Sequence, residues 1–258
     1  MPPHRVVAVV QARVGSSRLP RKVLADVAGK PLLERVLDRV AAAHVDGIVV
    51  ATTQHDDDDA VVALAAAHGV DVFRGSDTDV LDRTFKAATA ARADIVVRVT
   101  ADDPFKDPAV IDLAIRRLAN DPRIAYASNT LEPSYPEGLD VECLTVDALA
   151  TAWQEATLKS EREHVTPFIW TRPERFPLGS IRAEVDRSHL RWTVDYPEDL
   201  EFARAVQSHL PLDDFSMEAV LKVLAEHPEV AALAPSHERN SGYKASLEAD
   251  SGLQEGAS

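Results

Sequence analysis

The chain has 258 residues, 45% of them hydrophobic, enough for one substantial core but short for two independent domains. With 28 Lys and Arg against 42 Asp and Glu, its net charge of −14 argues against nucleic acid and anionic membrane surfaces as partners, so an anionic ligand requires a local basic site. No apolar run approaches the roughly 20 residues of a membrane span, no signal-type core opens the sequence, and the lone Cys143 can build neither an internal disulfide nor a multi-cysteine metal site, so a soluble cytoplasmic protein is expected.

The first element is a buried parallel strand over Val6 to Val10, which empties into a loop reading VVQARVGSSRLPRK from Val9 to Lys22. This loop brings Arg13, Gly15, Ser16, Ser17, Arg18, Arg21 and Lys22 within ten residues. Backbone N–H groups, hydroxyls and several cations delivered to one turn after a strand make a polyphosphate cradle. The alternative is an ordinary exposed basic loop, but its charge runs against that of the whole chain.

Leu32, Leu33, Val36, Leu37 and Val40 then predict a helix from Pro31 to Ala43, with proline at its first position. Asp46 to Thr52 predicts a strand. The acidic run from His55 to Asp59 reads as a set of solvated helix-dipole partners rather than a metal site. A strand over Val70 to Phe73, a helix reaching about Arg92 and a strand over Asp94 to Thr100 complete a βαβαβαβ alternation, the pattern of a doubly wound α/β fold. Asp107 and Pro108 cap a helix over Ala109 to Leu118, and Arg123 to Ser128 predicts a further strand.

Regularity breaks at about residue 130, and an excursion to about residue 187 follows. Within it, GLDVECLTV predicts a strand, Val146 to Ala156 a helix, and Ser160 with Glu163 a capping box for a helix that Pro167 interrupts. The sheet is expected to resume with strands over Ser180 to Val185 and Leu190 to Val194, then helices from Glu198 and Met217. Residues 1–235 read as a single domain, and the polar tail 236–258 as largely disordered.

Asp102 and Asp103 directly follow one apolar strand, and Asp195 follows LRWTV in the same way. Two strand ends that each deliver a carboxylate to one rim suit Mg²⁺, which takes one or two protein carboxylates and fills its shell with water and phosphate oxygens. The alternatives are a turn residue before Pro104 for Asp102 and a helix cap before Pro197 for Asp195. Asp140 and Glu142, two apart in a strand, share a face that suits hydroxyl recognition and equally a solvated edge. Arg162 and His164, near an expected helix N-terminus, read either as a second positive site for a carboxylate or phosphate or as surface residues of a capped helix.

The pattern R-x-x-S-S-R-L-P-x-K from Arg13 to Lys22 resembles the opening signature of the CMP-sugar synthetases, the cytidylyltransferases that activate acylneuraminate and Kdo. The spore-coat polysaccharide F-type relatives are the most similar. TADDPFKDP, RWTVDYPEDLE, VVATTQHDDDD, VFRGSDTDVLDR, YPEGLDVE and SEREHVTPFIW carry the likeness along the chain in the family's order. The resemblance implies a Rossmann-like nucleotidyltransferase of the nucleotide-diphospho-sugar transferase type, with a mixed, mostly parallel sheet, and a homodimer built from the excursion. It implies Mg²⁺ on Asp102 and Asp195, and catalysis by these two with Arg13 and Lys22. CTP would meet Gln11, Ala12, Arg13, Ser16, Ser17, Arg18 and Lys22 on the first loop. Asp102 would face the phosphates, and Thr52, Arg74, Gly75 and Ser76 the nucleoside. An anionic sugar or sugar-acid acceptor would meet Asp140, Glu142, Arg162 and His164.

The sequence departs from the family at four positions. Arg21 stands where relatives place glycine, Ala101 replaces glycine, Phe105 replaces leucine, and Lys106 replaces isoleucine, reaching either a substrate anion or solvent. The expected activity is Mg-dependent transfer of CMP from CTP with release of pyrophosphate, in surface polysaccharide or glycoconjugate synthesis. A glycosyltransferase of the same fold would favour an Asp-x-Asp metal motif, whereas Asp102 and Asp103 are adjacent. A non-catalytic nucleotide-binding protein would have no need of two metal carboxylates.

Overall fold

Val6–Gln11 (β1) is buried at every position but the last, which requires a neighbour on each side and a layer over each face. The computed structural model describes residues 4–16, 18–211 and 214–255. In it β1 pairs in parallel with Gly47–Thr53 (β4) and Ile95–Thr100 (β6), and Asp71–Gly75 (β5) extends the sheet beyond β4. A two-residue hairpin, Asp26–Val27 (β2) with Lys30–Pro31 (β3), lies apart from this sheet. Alternate β1 side chains enter different layers. Ala8 and Val10 pack with Leu32–Ala41 (α1) and Pro108–Ala119 (α4), whereas Val7 and Val9 share a core with Val80–Ala90 (α3). The predicted stripe Leu32, Leu33, Val36, Leu37 and Val40 is wholly buried. Asp59–Ala67 (α2) joins β4 to β5.

Beyond β6 the sheet turns mixed. Glu142–Thr145 (β8) lies antiparallel between β6 and Tyr126–Ser128 (β7), and Leu178–Ser180 (β9) pairs in parallel with β7. The strand order is β5-β4-β1-β6-β8-β7-β9. Residues 130–187 are therefore woven into the sheet rather than standing outside it. They supply two strands and the helices Val146–Glu155 (α5), Lys159–His164 (α6) and Pro167–Trp170 (α7). Cys143 is fully buried in β8, where burial pushes its thiol well up, in keeping with a small apolar core residue.

Two predicted strands shift. The expected strand Ser180 to Val185 is β9 at Leu178–Ser180, and Leu190 to Val194 makes no strand among the described residues. That segment is held instead by single contacts. Arg191 bridges Glu137, the Trp192 amide donates to Glu137 O at 2.7 Å, and the Val194 amide donates to Asp102 O at 2.8 Å.

After Pro197–His209 (α8), Met217–Glu226 (α9) and Pro228–Ala231 (α10), the tail expected to be largely disordered carries a helix, Ser241–Glu255 (α11). This helix docks by polar and aromatic side chains rather than by an apolar stripe. Tyr243 sets its ring edge-on to His164 and Trp170, Ser246 bonds His164, and Asp250 accepts the Ser160 amide at 3.2 Å. Among the described residues no helix is long and apolar enough to cross a membrane.

Gly138 is required where the chain passes Trp192. Its φ is +105°, and a Cβ there would sit 2.9 Å from the Trp192 carbonyl carbon and 2.9 Å from the Thr193 nitrogen. Gly138→Ala is expected to lower the melting temperature by roughly 3–10 °C, because a side chain is strained there and backbone atoms cannot yield. Calorimetric unfolding at the wild-type temperature would refute this close approach.

Candidate active site

The loop after β1 is shaped by buried carboxylate contacts. Asp58, only 2% exposed, accepts from the Val14 amide at 2.6 Å and from the Thr53 amide and hydroxyl. It therefore departs from the expected row of solvated helix-dipole partners. It pins the loop to the end of β4, and a carboxylate within DDDD gives no sign of that task. Ser16, Ala12 and Gly15 line the cavity formed by this loop, whereas Ser17 lies outside the described residues.

The loop then turns at Arg21, whose φ of 60° is the left-handed conformation that glycine adopts freely and other residues at roughly 1–2 kcal/mol. The turn launches a short 3-10 segment, Lys22–Leu24, and aims Lys22 inward. Its Nζ donates to Asp102 Oδ2 at 2.8 Å, to Asp195 Oδ1 at 2.8 Å and to Val194 O at 2.9 Å. Burial alone would raise both carboxyls, but the Lys22 charge and the hydrogen bonds the carboxylates accept together outweigh it, bringing Asp102 down to about 2 and Asp195 below its usual range. Burial likewise opposes the ammonium, and the two aspartates more than restore it.

Asp195 is free to serve this cluster because a neighbour does the capping. The amides of Asp195 and Tyr196 donate to Asp199 Oδ2 at 2.7 and 2.9 Å, so Asp199 holds the start of α8. Arg191 ties the same corner together, pairing with Glu137 at 2.8 Å, Asp199 at 3.1 Å and Asp195 at 3.2 Å. Arg18 approaches from the loop, 2.8 Å from Asp195 and 5.1 Å above the Tyr196 ring.

Two cavities meet at this cluster. One, of about 410 Å³, is walled by the β1 loop, including Gln11, Arg13, Arg18 and Lys22. The other, of about 440 Å³, is walled by Asp140, Glu142, His164, Trp170 and the start of α11. Arg18, Asp102, Asp195 and His164 border both. A group in each cavity could thus meet beside the two aspartates. Asp102 and Asp195 already converge on a single cation, the Lys22 ammonium, and this donor set fits Mg²⁺ with water and phosphate completing its shell. Among the described residues no cluster of three or more His, Cys, Asp or Glu could hold a metal by itself.

The expected acceptor residues divide. Asp140, Glu142 and His164 line the second cavity, but Arg162 does not. Its guanidinium turns to Asp79, the N-cap of α3, with Nε 2.9 Å from Oδ2, and donates to Trp153 O at 2.7 Å. The helix carrying it begins after Leu158, so Ser160 is not its cap and Arg162 falls in its last turn. Glu142 is fixed by Arg98, Tyr126 and Thr166, and Asp140 by Arg239. Burial pushes the Asp140 carboxyl up to about 6, against the pull of Arg239 and Lys106.

Lys106 reaches neither a substrate anion nor solvent. It is buried against Asp103 at 2.8 Å and the Asp140 carbonyl. The expected nucleoside group lies outside both cavity walls. Arg74 folds back onto Thr53 O at 2.9 Å and His55 O at 2.6 Å, and Ser76 accepts the Asp79 amide at 3.0 Å. Gly75 sits where a Cβ would meet Phe73 at 2.9 Å, and Thr52 is fully buried. Thr52 stands within β4, Arg74 and Gly75 end β5, and Ser76 follows it. Asn240, Ser241, Gly242 and Tyr243 line the second cavity without having been expected there. The sequence around them carries no apolar periodicity to announce a docked helix.

Residues 7–223 match the family model described as cytidylyltransferase. The spore coat polysaccharide biosynthesis protein SpsF of Bacillus subtilis is 30% identical over 236 residues, covering 88% of this chain and 96% of that protein. A solved cytidylyltransferase of Leptospira borgpetersenii is 31% identical with a TM-score of 0.86, covering 92% of this chain and 100% of that one. The structure of CMP:2-keto-3-deoxy-manno-octonic acid synthetase complexed with CTP shares the fold at a TM-score of 0.61 and 22% identity, over 79% of this chain and 98% of that one.

Because Arg162 braces α3, Arg162→Ala is expected to remove a charged hydrogen-bond set worth about 1–3 kcal/mol and lower the melting temperature by roughly 3–10 °C. CTP affinity, read by calorimetry, should stay within about threefold. An unchanged melting temperature with weakened CTP binding would place Arg162 in the nucleotide site instead.

Proposed function

The chain belongs to the cytidylyltransferase family, and from that premise we propose that it transfers CMP from CTP, with Mg²⁺, to a hydroxyl of a sugar acid, sugar or related anionic metabolite. The observation that carries this reading is the Lys22 ammonium between Asp102 and Asp195 where two cavities meet. Arg13, Arg18 and Lys22 border the first cavity and supply the positive charge that a triphosphate needs in an otherwise acidic protein. Magnesium, held by Asp102 and Asp195, supplies Lewis-acid neutralisation at the reacting phosphate.

The second cavity receives the acceptor. Its hydroxyl oxygen forms a bond to the α-phosphorus and gives up its proton to solvent water while the bond to the β-phosphate oxygen breaks, and pyrophosphate leaves with the bonding pair. No covalent enzyme intermediate is involved, so the residues act by position and charge. Glu142, His164, Asn240 and Tyr243 offer polar groups along the acceptor wall. The B. subtilis relative, a spore coat polysaccharide biosynthesis protein, favours a surface-polysaccharide precursor as acceptor. A homodimer through residues 130–187 belongs to the same proposal.

The test is pyrophosphate release from each nucleoside triphosphate against a panel of sugars and sugar acids. CTP should be preferred, and Lys22→Ala and Asp102→Asn should each cut turnover at least about a hundredfold with the circular dichroism spectrum retained. Near wild-type turnover by either variant at saturating Mg²⁺ would sink the assignment of these roles.

A further inference from the structure

An ammonium has three N–H donors. Those of Lys22 are met by three acceptors of its own chain, Asp102 Oδ2 at 2.8 Å, Asp195 Oδ1 at 2.8 Å and Val194 O at 2.9 Å. The side chain is 11% exposed. Asp195 is further engaged by Arg18 at 2.8 Å and Arg191 at 3.2 Å. The carboxylates that suit a metal are thus satisfied by cations of the chain, and the lysine that suits a phosphate has its donors committed to those carboxylates. While the aspartates and the Val194 carbonyl hold it, Lys22 has no donor left for a phosphate.

We propose that Lys22 is an internal counter-ion which exchanges with the divalent cation, so that metal and triphosphate load the site together. A divalent cation arriving alone would sit against a buried ammonium with nowhere to discharge, a like-charge contact in a poorly solvated corner. A triphosphate arriving alone would face two carboxylates whose lysine is still engaged. When both arrive, the ammonium swings on its flexible four-carbon stem to a phosphate oxygen and the metal takes its place between the aspartates. Lys22 already borders the β1-loop cavity, so the swing is a change of rotamer and needs no movement of the sheet. By linkage the two ligands must then raise each other's affinity equally.

The inference rests on the functional reading for its nucleotide, but its decisive arm uses none. Mn²⁺, standing in for Mg²⁺, is titrated into the full nucleotide-free chain by calorimetry and by the paramagnetic resonance signal of free Mn²⁺. Lys22→Met, of similar length but uncharged, is expected to bind Mn²⁺ at least about tenfold more tightly than wild type, and Lys22→Arg no more tightly. Equal or weaker Mn²⁺ binding by a folded Lys22→Met would overturn the exchange. If that variant does not fold, the wild type decides alone: a micromolar Kd for Mn²⁺ without nucleotide, lost in Asp195→Asn, overturns the proposal, and millimolar binding that CTP strengthens supports it. Failure of CTP to bind even with Mn²⁺ would remove the functional reading, while the nucleotide-free comparison still tests the exchange.

Discussion

Two carboxylates that face each other at the rim of a sheet need a cation between them, and the architecture of this chain is arranged to supply one. Asp102 is delivered by the end of β6, Asp195 by the segment before α8, and Lys22 by the turn after the β1 loop. Eighty residues separate Lys22 from Asp102, and 173 separate it from Asp195. Each is held by a contact one step behind it. Asp58 grips the Val14 amide, the Val194 amide bonds Asp102 O, and Asp199 caps α8 so that Asp195 need not. The strained φ of Arg21 is tolerated because it aims Lys22 at that meeting point.

Much of this arrangement is legible in the sequence, because the signals are local. A run such as IVVRVT followed by ADDP can only be a buried strand that ends in carboxylates, and parallel sheets present such ends on one rim. The basic loop stands out against a chain of net charge −14. What stays hidden depends on partners distant in sequence. Nothing in HDDDD distinguishes Asp58 from its solvated neighbours, and nothing in SEREH says that Arg162 turns to Asp79 on α3 while His164 turns to the cavity. The segment Leu190 to Val194 has the composition of a strand, yet isolated bonds to Glu137 and Asp102 hold it.

The last helix escapes sequence reading for a different reason. Hydrophobic periodicity measures burial against an apolar core, but α11 docks through Tyr243, Ser246 and Asp250, spaced along one face and met by His164, Trp170 and the Ser160 amide. Such a surface looks like a solvated tail when read by composition. Its placement bears on the proposed function, since residues beyond the matched 7–223 close one side of the cavity proposed for the acceptor. The cavity proposed for the nucleotide takes its β1-loop wall from the early chain, and the cavity proposed for the acceptor is completed by residues 240–243.

We propose that Lys22, Asp102 and Asp195 form the reacting centre of a CTP-dependent transferase. The most direct measurement is a crystal structure of the chain with CTP and Mn²⁺, using anomalous scattering to locate the metal. The expected result is an anomalous peak coordinated by Asp102, Asp195 and a phosphate oxygen, with Lys22 Nζ bonded to the triphosphate. A triphosphate lying away from the β1 loop, or a metal bound without either aspartate, would contradict it.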